Sequence, residues 1–316
     1  MPTYAIRHHT RYRYSASINE SVMEARMEPR TDGGQTIHSF QLTISPRSPM
    51  QSYRDHLGNK VHWFNVPGHH GTLVIRAQSL VDVEAWEVAT LEQTPGDWAE
   101  LEKMGSQPNL WDWLAPSHFT HVTDALTAFA RQEQIEREYT PLATLHMLNQ
   151  RIYDAFEYNS NSTSVDSSID VALADRSGVC QDYTHIFIAL ARMLGIPCRY
   201  VSGYLFHRRD RHDRSDEDAS HAWAEAYLPG LGWIGFDPTN HLVSHGRHIR
   251  VAVGRDYNDV PPSRGVFRGS ATTELDVGVQ VSLAERPEIE QELIPTTGWI
   301  PPEDVDKHQQ QQMQQQ

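Results

Sequence analysis

The sequence predicts an α+β fold, in which a strand-rich region comes first and a core that mixes helices and strands follows. Between about residues 3 and 90, period-two alternation and runs of valine, isoleucine and leucine, such as SFQLTISP and TLVIRAQSLVDVEAWEV, indicate strands. From about 95 to 150, apolar residues recur at helical spacing, as in HVTDALTAFARQ and TPLATLHMLNQRIYDAFEY. We therefore expect an N-terminal antiparallel β-domain ahead of a separate core.

The length of 316 residues exceeds one typical domain and fits two. We place the N-terminal β-domain at 1–95 and the core, with its helical lead-in, at 96–285. The remaining segment, 286–316, ends in KHQQQQMQQQ, a low-complexity run that we expect to be disordered.

The acidic composition limits the classes of partner. The formal net charge is −14, so the chain repels phosphate backbones and we expect no nucleic-acid partner. No run of about 18 apolar residues is present, and the start, MPTYAIRHHTRYRY, lacks the apolar stretch of a signal peptide. Two cysteines are too few for a disulfide framework. These features favour a protein of the reducing cytoplasm with no membrane partner.

Cys180 stands where a helix is expected to begin. Apolar residues repeat at helical spacing from there through Leu194, and Gly195 then ends the helix. A cysteine in the first helical turn feels the positive end of the helix dipole, which favours the nucleophilic thiolate. Free backbone N–H groups at the same place can stabilise an oxyanion. The plainer alternative is a buried structural cysteine.

The segment SHAWAEAYLPGLGWIGFDPTN is interpreted as two strands joined by a PGLG turn. On the first strand, His221 and Trp223 share one face with Glu225 and Tyr227, while three alanines form a face small enough to pack against a helix. The turn returns the chain so that Asp237, at the end of the second strand, comes within reach of His221.

Taken alone, a strand histidine is more often structural, and Asp-Pro is an ordinary strand-ending turn. The order along the chain carries more information. A cysteine that begins a helix, then a histidine and an aspartate on strands, supply a nucleophile, a base and the carboxylate that orients the base.

Three blocks, GVCQDYTHIFIALARMLGIPCRYVSGYL, DASHAWAEAYLPGLGWIGFDPTN and GRDYNDVPPSRGVFRG, resemble the core of bacterial transglutaminase-like proteins. HHTRYRYS, EARMEPR and DHLGNKVHWFNV resemble the β-domain that precedes this core in the same group. The resemblance implies a papain-like core, a Cys-bearing helix packed on an antiparallel sheet, with Cys180, His221 and Asp237 as its triad. It implies a thioester enzyme acting on a peptide or protein. We expect no cofactor. Water or an amine acceptor can receive the acyl group, and neither sequence nor resemblance decides between hydrolysis and transfer.

Four further residues are weaker candidates. Tyr158 is placed upstream, as a second oxyanion donor would be in this fold. Gln181 is either a polar wall of the cleft or an exposed helix residue. Trp223 either excludes water beside the histidine or packs in the core. For Asn240, we favour a turn residue over a partner of the aspartate.

Cys198 is interpreted as structural, because it begins a strand and has no helix N-terminus beside it. A redox pair with Cys180 lacks the two-residue spacing of redox motifs. The loop HRRDRHDRSDEDASH contains histidines and carboxylates, but the spacing of His207, His212 and His221 matches no zinc pattern, so we expect no metal. The alternative function is a binding module that keeps this fold without catalysis.

Overall fold

Two large antiparallel sheets, with helices over one face of the second, make up the computed structural model. The structure describes residues 1–85, 97–105, 107–160, 162–208 and 213–285, and residues 1–284 form one compact unit. The expected α+β fold is confirmed. The expected boundary at 95–96 and the tail 286–316 lie outside the described residues, so the domain limits stay predictions.

The first sheet has the strand order β12-β1-β4-β2, with β13 also paired to β1 and β3 to β4. Its strands are β1 (Thr3–Ala25), β2 (Gln35–Ser45), β3 (Met50–Arg54), β4 (Lys60–Val83), β12 (Ser263–Arg268) and β13 (Thr273–Ala284). Alternate residues of β4, such as Leu73 and Ile75, are fully buried, as the period-two pattern predicts. Strands β12 and β13 lie in the range 96–285 that we assign to the core from the sequence, but they are hydrogen-bonded to β1 of this sheet.

Along the described chain, six helices follow β4 and precede β7: α1 (Asp97–Gly105), α2 (Pro108–Leu114), α3 (Asp124–Gln132), α4 (Pro141–Ala155), α5 (Ile169–Asp175) and α6 (Cys180–Met193). Helix α4 starts with a threonine N-cap followed by a proline in the first turn, a common way for a helix to begin. Thr140 is the N-cap, and its hydroxyl accepts from the backbone N–H of Ala143. Among the described residues, no helix combines the length and apolar character needed to cross a membrane.

The second sheet has the order β10-β9-β8-β7-β11 and carries the candidate site. Its strands are β7 (Cys198–Leu205), β8 (His221–Leu228), β9 (Gly232–Asp237), β10 (Leu242–Val243) and β11 (His248–Gly254). Two short parallel strands, β5 (Glu157–Tyr158) and β6 (Ser177–Gly178), precede α6, and a 3-10 helix (Tyr257–Asp259) follows β11.

Helix α6 packs on β7 and β8 as the alanine face of β8 predicts. Ala222, Ala224 and Ala226 are buried in the same cluster as the apolar residues of α6. The opposite face of the sheet meets the first sheet, where Tyr204 and Ile249 pack among apolar residues of β1 and β4. The helix start is thereby held against one side of the sheet on which His221 and Asp237 lie.

Candidate active site

Cys180 is the first residue of α6 and is half-buried. The carboxylate of Asp182 caps the helix start by accepting from the backbone N–H of Val179 at 2.9 Å and the hydroxyl of Thr163 at 2.6 Å. Gly178 leaves room for this carboxylate, since a Cβ there would lie 2.8 Å from the Asp182 side chain. The thiol is therefore held at a capped helix N-terminus, where backbone N–H groups are available to a ligand.

His221 and Asp237 form a buried pair, as the order of residues predicts. Nε2 of His221 lies 2.7 Å from Oδ2 of Asp237, and both side chains are almost fully buried. Burial alone would lower the pKa of His221, but the Asp237 carboxylate and then the Cys180 thiol raise it to about 10. His221 therefore carries a positive charge at neutral pH.

Nδ1 of His221, the ring nitrogen that does not meet Asp237, faces no partner within standard hydrogen-bond geometry among the described residues. The Cys180 sulfur lies close enough that its negative charge, when it is ionised, raises the pKa of the ring. Such contacts are often long in free enzymes and tighten when substrate binds. The arrangement leaves Nδ1 as the nitrogen that can exchange a proton with the thiol.

Asp237 receives donors on both oxygens. Oδ2 accepts from the Asn240 amide at 2.9 Å and lies 3.1 Å from Nε2 of His248, while Oδ1 accepts from the backbone N–H groups of Thr239 and Asn240, each at 3.2 Å. Burial alone would raise the pKa of Asp237, but His221 and then His248 hold it well below its usual range. The carboxylate is therefore ionised and fixed in orientation.

Asn240 does more than the turn that we expected. Its side-chain amide donates to Asp237, and its carbonyl accepts from the backbone N–H groups of Arg214 and Ser215 at 2.7 and 3.2 Å. The preference for a turn residue alone was wrong, because the Asp-Pro-Thr-Asn bend turns this side chain back on to the carboxylate. Asn240 thus ties the aspartate to the loop that precedes His221.

Tyr158 lies beside the nucleophile. Its strand pairs with Gly178, two residues before Cys180, and its hydroxyl donates to the Asp216 carboxylate at 3.3 Å. Burial raises the pKa of Tyr158, and the charges of Cys180 and Asp216 raise it further. The phenol therefore keeps its proton, which it directs at the Asp216 carboxylate.

Gln181 and Trp223 are both buried. The Gln181 amide donates to the carbonyl of Val165 at 2.9 Å, so it holds the polar loop beside Cys180 and is not an exposed helix residue. The Trp223 ring stacks near His221, with centroids 6.1 Å apart, and a Cβ at Gly203 would collide with it. Trp223 thus both packs in the core and covers the histidine.

His248 was missed from the sequence. It begins β11, its side chain is fully buried, and it shares Oδ2 of Asp237 with His221. A single histidine in a strand gives no local signal, and its approach to Asp237 depends on pairing between distant strands. Only the three-dimensional arrangement could identify it.

The three side chains of His221, Asp237 and His248 could also offer ligands to a metal, since their donor atoms lie within 4.8 Å of one another. We interpret them as a hydrogen-bonded group, because both Nε2 atoms meet the carboxylate directly. In the loop for which we weighed a metal site, His207 lies 3.4 Å from Asp213, which also pairs with Arg247. His212 lies outside the described residues.

Cys198 is a free thiol that is completely buried. Burial raises the pKa of Cys198 to about 12. The side chain is therefore a neutral thiol that packs in the core, in agreement with the structural role that we expected.

Comparison with known proteins identifies the family. Residues 129–238 match the transglutaminase-like superfamily model, and residues 4–82 match the bacterial transglutaminase-like N-terminal region. An uncharacterised protein of Mycobacterium leprae is 33% identical over 276 residues, which cover 87% of this chain and 96% of that protein. A protein-glutamine gamma-glutamyltransferase of Pseudomonas aeruginosa is 28% identical over 171 residues, covering 49% of this chain and 24% of that enzyme.

Among solved structures, a candidate cysteine protease from Cytophaga hutchinsonii has the same fold. The TM-score is 0.68 at 22% identity, over 91% of this chain and 92% of that one. The regions that the two family models match include the segment from Cys180 to Asp237 and most of the N-terminal sheet. The chain belongs to the transglutaminase-like superfamily, whose members are cysteine-dependent enzymes.

Proposed function

We propose that the protein breaks an amide bond of a peptide or protein substrate through a thioester on Cys180. The observation that supports this most directly is the buried contact of 2.7 Å between His221 and Asp237, which leaves the other ring nitrogen for the thiol. Burying a charged pair is costly, and a binding surface has no use for one beside a free cysteine. The alternative of a non-catalytic binding module is therefore less well supported.

The first half of the reaction forms the thioester. The Cys180 thiolate attacks the carbonyl carbon, and the C=O electrons move to oxygen to give a tetrahedral oxyanion. The oxyanion collapses, the C–N bond breaks, and the His221 imidazolium gives its proton to the departing ammonia or amine. Asp237 holds the ring in one tautomer and stabilises its positive charge.

The second half returns the enzyme to its starting state. Neutral His221 takes a proton from water or from an amine as that nucleophile attacks the thioester carbonyl. The C–S bond then breaks, which releases an acid or a new amide and restores the thiolate–imidazolium pair. Both outcomes use the same residues, so the choice depends on which nucleophile enters the cleft.

Two donors are candidates for stabilising the oxyanion. The backbone N–H of Cys180 lies in the first turn of α6. The Tyr158 hydroxyl keeps its proton beside Cys180, and it would serve the oxyanion by turning that single hydrogen away from Asp216. Gln181 and Trp223 contribute by holding the neighbouring loop and by covering His221. We also propose that the protein acts in the cytoplasm. Its substrate would be a peptide or protein, and an amine could replace water as the acceptor of the acyl group.

The test is incubation with a library of glutamine-containing peptides, with and without a primary amine, followed by mass spectrometry. Cleavage gives shorter peptides, deamidation converts glutamine to glutamate, and transfer adds the amine. We expect at least one product with the natural protein and none with Cys180→Ala. The matched control Cys198→Ala should keep the products. A library that stays unchanged with the natural protein, or equal turnover by Cys180→Ala, contradicts the proposal.

A further inference from the structure

Two imidazoles meet one carboxylate oxygen at the candidate site. Nε2 of His221 lies 2.7 Å and Nε2 of His248 lies 3.1 Å from Oδ2 of Asp237. The indole of Trp223 packs against both rings, with centroids 6.1 Å from His221 and 5.1 Å from His248. Only His221 is placed to act on the thiol, so His248 needs another explanation.

The two histidines differ in charge. Burial lowers the pKa of His248, and although Asp237 opposes this, the positive charges of His221 and Arg247 lower it further. His248 is therefore neutral when His221 is charged, and its Nε2–H donates to Asp237. A neutral donor orients the carboxylate without competing with the His221 imidazolium for its charge.

The N-terminal sheet holds the strand that carries His248. Strand β11 is an edge strand, paired on one side with β7. On its other side, the Gln35 side chain donates to the carbonyl of Arg250 and accepts from its N–H, each at 2.8 Å. The Asn59 side chain does the same at Val253, again at 2.8 Å for both bonds. Two carboxamides thus take the place of a neighbouring strand.

Both contacts lie on β11 shortly after His248, at Arg250 and at Val253. A third contact, the hydrogen bond from the backbone N–H of Arg30 to the carbonyl of Arg250 at 2.9 Å, adds to these four bonds. Asn59 is completely buried and Gln35 nearly so, so neither side chain can exchange its partners for water without cost. The position of β11, and with it His248, therefore depends on the N-terminal sheet.

We propose that His248 is a positioning residue for Asp237, and that the N-terminal sheet sets its place by holding β11 through Gln35 and Asn59. This inference rests on the proposed function of Cys180, His221 and Asp237. It gives the N-terminal domain a role in catalysis that needs no contact with substrate. Without the bonds from Gln35 and Asn59, His248 is displaced and Asp237 is less firmly oriented. His221 then holds its proton less strongly beside the thiol.

The test compares His248→Phe, which keeps the ring volume and removes the donor, with His248→Gln, which keeps an N–H near the position of Nε2. The measurement is the rate of Cys180 alkylation by iodoacetamide as a function of pH, with thermal unfolding recorded alongside. We expect His248→Phe to lose about tenfold in rate at neutral pH, because a hydrogen bond to a charged group is lost, and to shift the profile towards alkaline pH. His248→Gln should restore most of the rate.

The matched control is His8→Phe. His8 is also a buried histidine between the two sheets, but its Nδ1 lies 2.9 Å from the hydroxyl of Tyr204, away from Asp237. It should lose stability and keep the alkylation profile. Gln35→Ala and Asn59→Ala should shift the profile in the same direction as His248→Phe, by a smaller amount. They keep the idea testable if His248→Phe does not fold.

The outcomes separate the two proposals. If Cys180 of the natural protein reacts no faster than an unfolded thiol, the proposed function fails, and the role of His248 fails with it. If the natural protein is activated but His248→Phe keeps its rate and profile, the positioning role alone is wrong. Equal losses in His248→Phe and His248→Gln, matched by equal losses of stability, also contradict it, because they indicate packing only.

Discussion

The two ends of helix α6 place a cysteine in opposite surroundings. Cys180 starts the helix, is half-buried and lies beside a charged histidine. Cys198 starts β7 just after the other end, is completely buried, and burial raises its pKa to about 12. The same side chain is a candidate nucleophile at one end and a core residue at the other, because the neighbouring groups differ.

The far end also contains a buried charge, but one with a structural use. Arg192 donates to the carbonyls of Trp113, Cys198 and Arg255 and to the hydroxyl of Thr120. These bonds connect helix α6 to α2, to the loop that follows α2 and to the segment after β11. At the cleft end, Nδ1 of the charged His221 ring has no hydrogen-bond partner among the described residues. The guanidinium nitrogens of Arg192, in contrast, donate to protein groups.

The largest expected effect separates the two cysteines directly. Cys180→Ala should reduce turnover by about 10⁴-fold or more, because it removes the atom that attacks the substrate. Cys198→Ala should leave kcat unchanged and reduce the free energy of unfolding by about 1 to 2 kcal/mol, through a small cavity. Steady-state kinetics and urea unfolding of both variants measure the pair. Similar losses of activity in both would abolish the distinction.

The next effect concerns the far end alone. Arg192→Met should reduce the free energy of unfolding by about 3 kcal/mol, because several buried carbonyls lose their donor. The kcat of the protein that remains folded should not change. The matched control is Arg137→Met. Arg137 also donates to this end of the helix, at Leu194, but is largely exposed, so we expect a loss below about 1 kcal/mol. A fall in kcat for folded Arg192→Met would show that the far end serves the chemistry.

The sequence predicts the parts of the molecule that have local signals. The helix starting at Cys180, the alanine face of β8 and the approach of Asp237 to His221 all follow from short segments with clear periodicity. Features that depend on distant pairing could not be predicted. Strand β13 lies next to β1 although about 250 residues separate them. His248 reaches Asp237 because β11 pairs with β7, at the far side of the sheet from β9. Asn240 was misjudged because an Asp-Pro-Thr-Asn turn is an adequate explanation by itself.

The most direct test of the central claim is the rate of alkylation of each cysteine by iodoacetamide, followed by peptide mass spectrometry. In the natural protein, Cys180 should react well above the rate of an unfolded thiol at neutral and mildly acid pH. The raised pKa of His221, about 10, keeps its imidazolium beside the sulfur throughout that range. Cys198 should stay unmodified, and His221→Gln should bring Cys180 down to the rate of an ordinary thiol. A slow Cys180 in the natural protein, or a fast one in His221→Gln, would contradict the assignment of a nucleophile activated by His221.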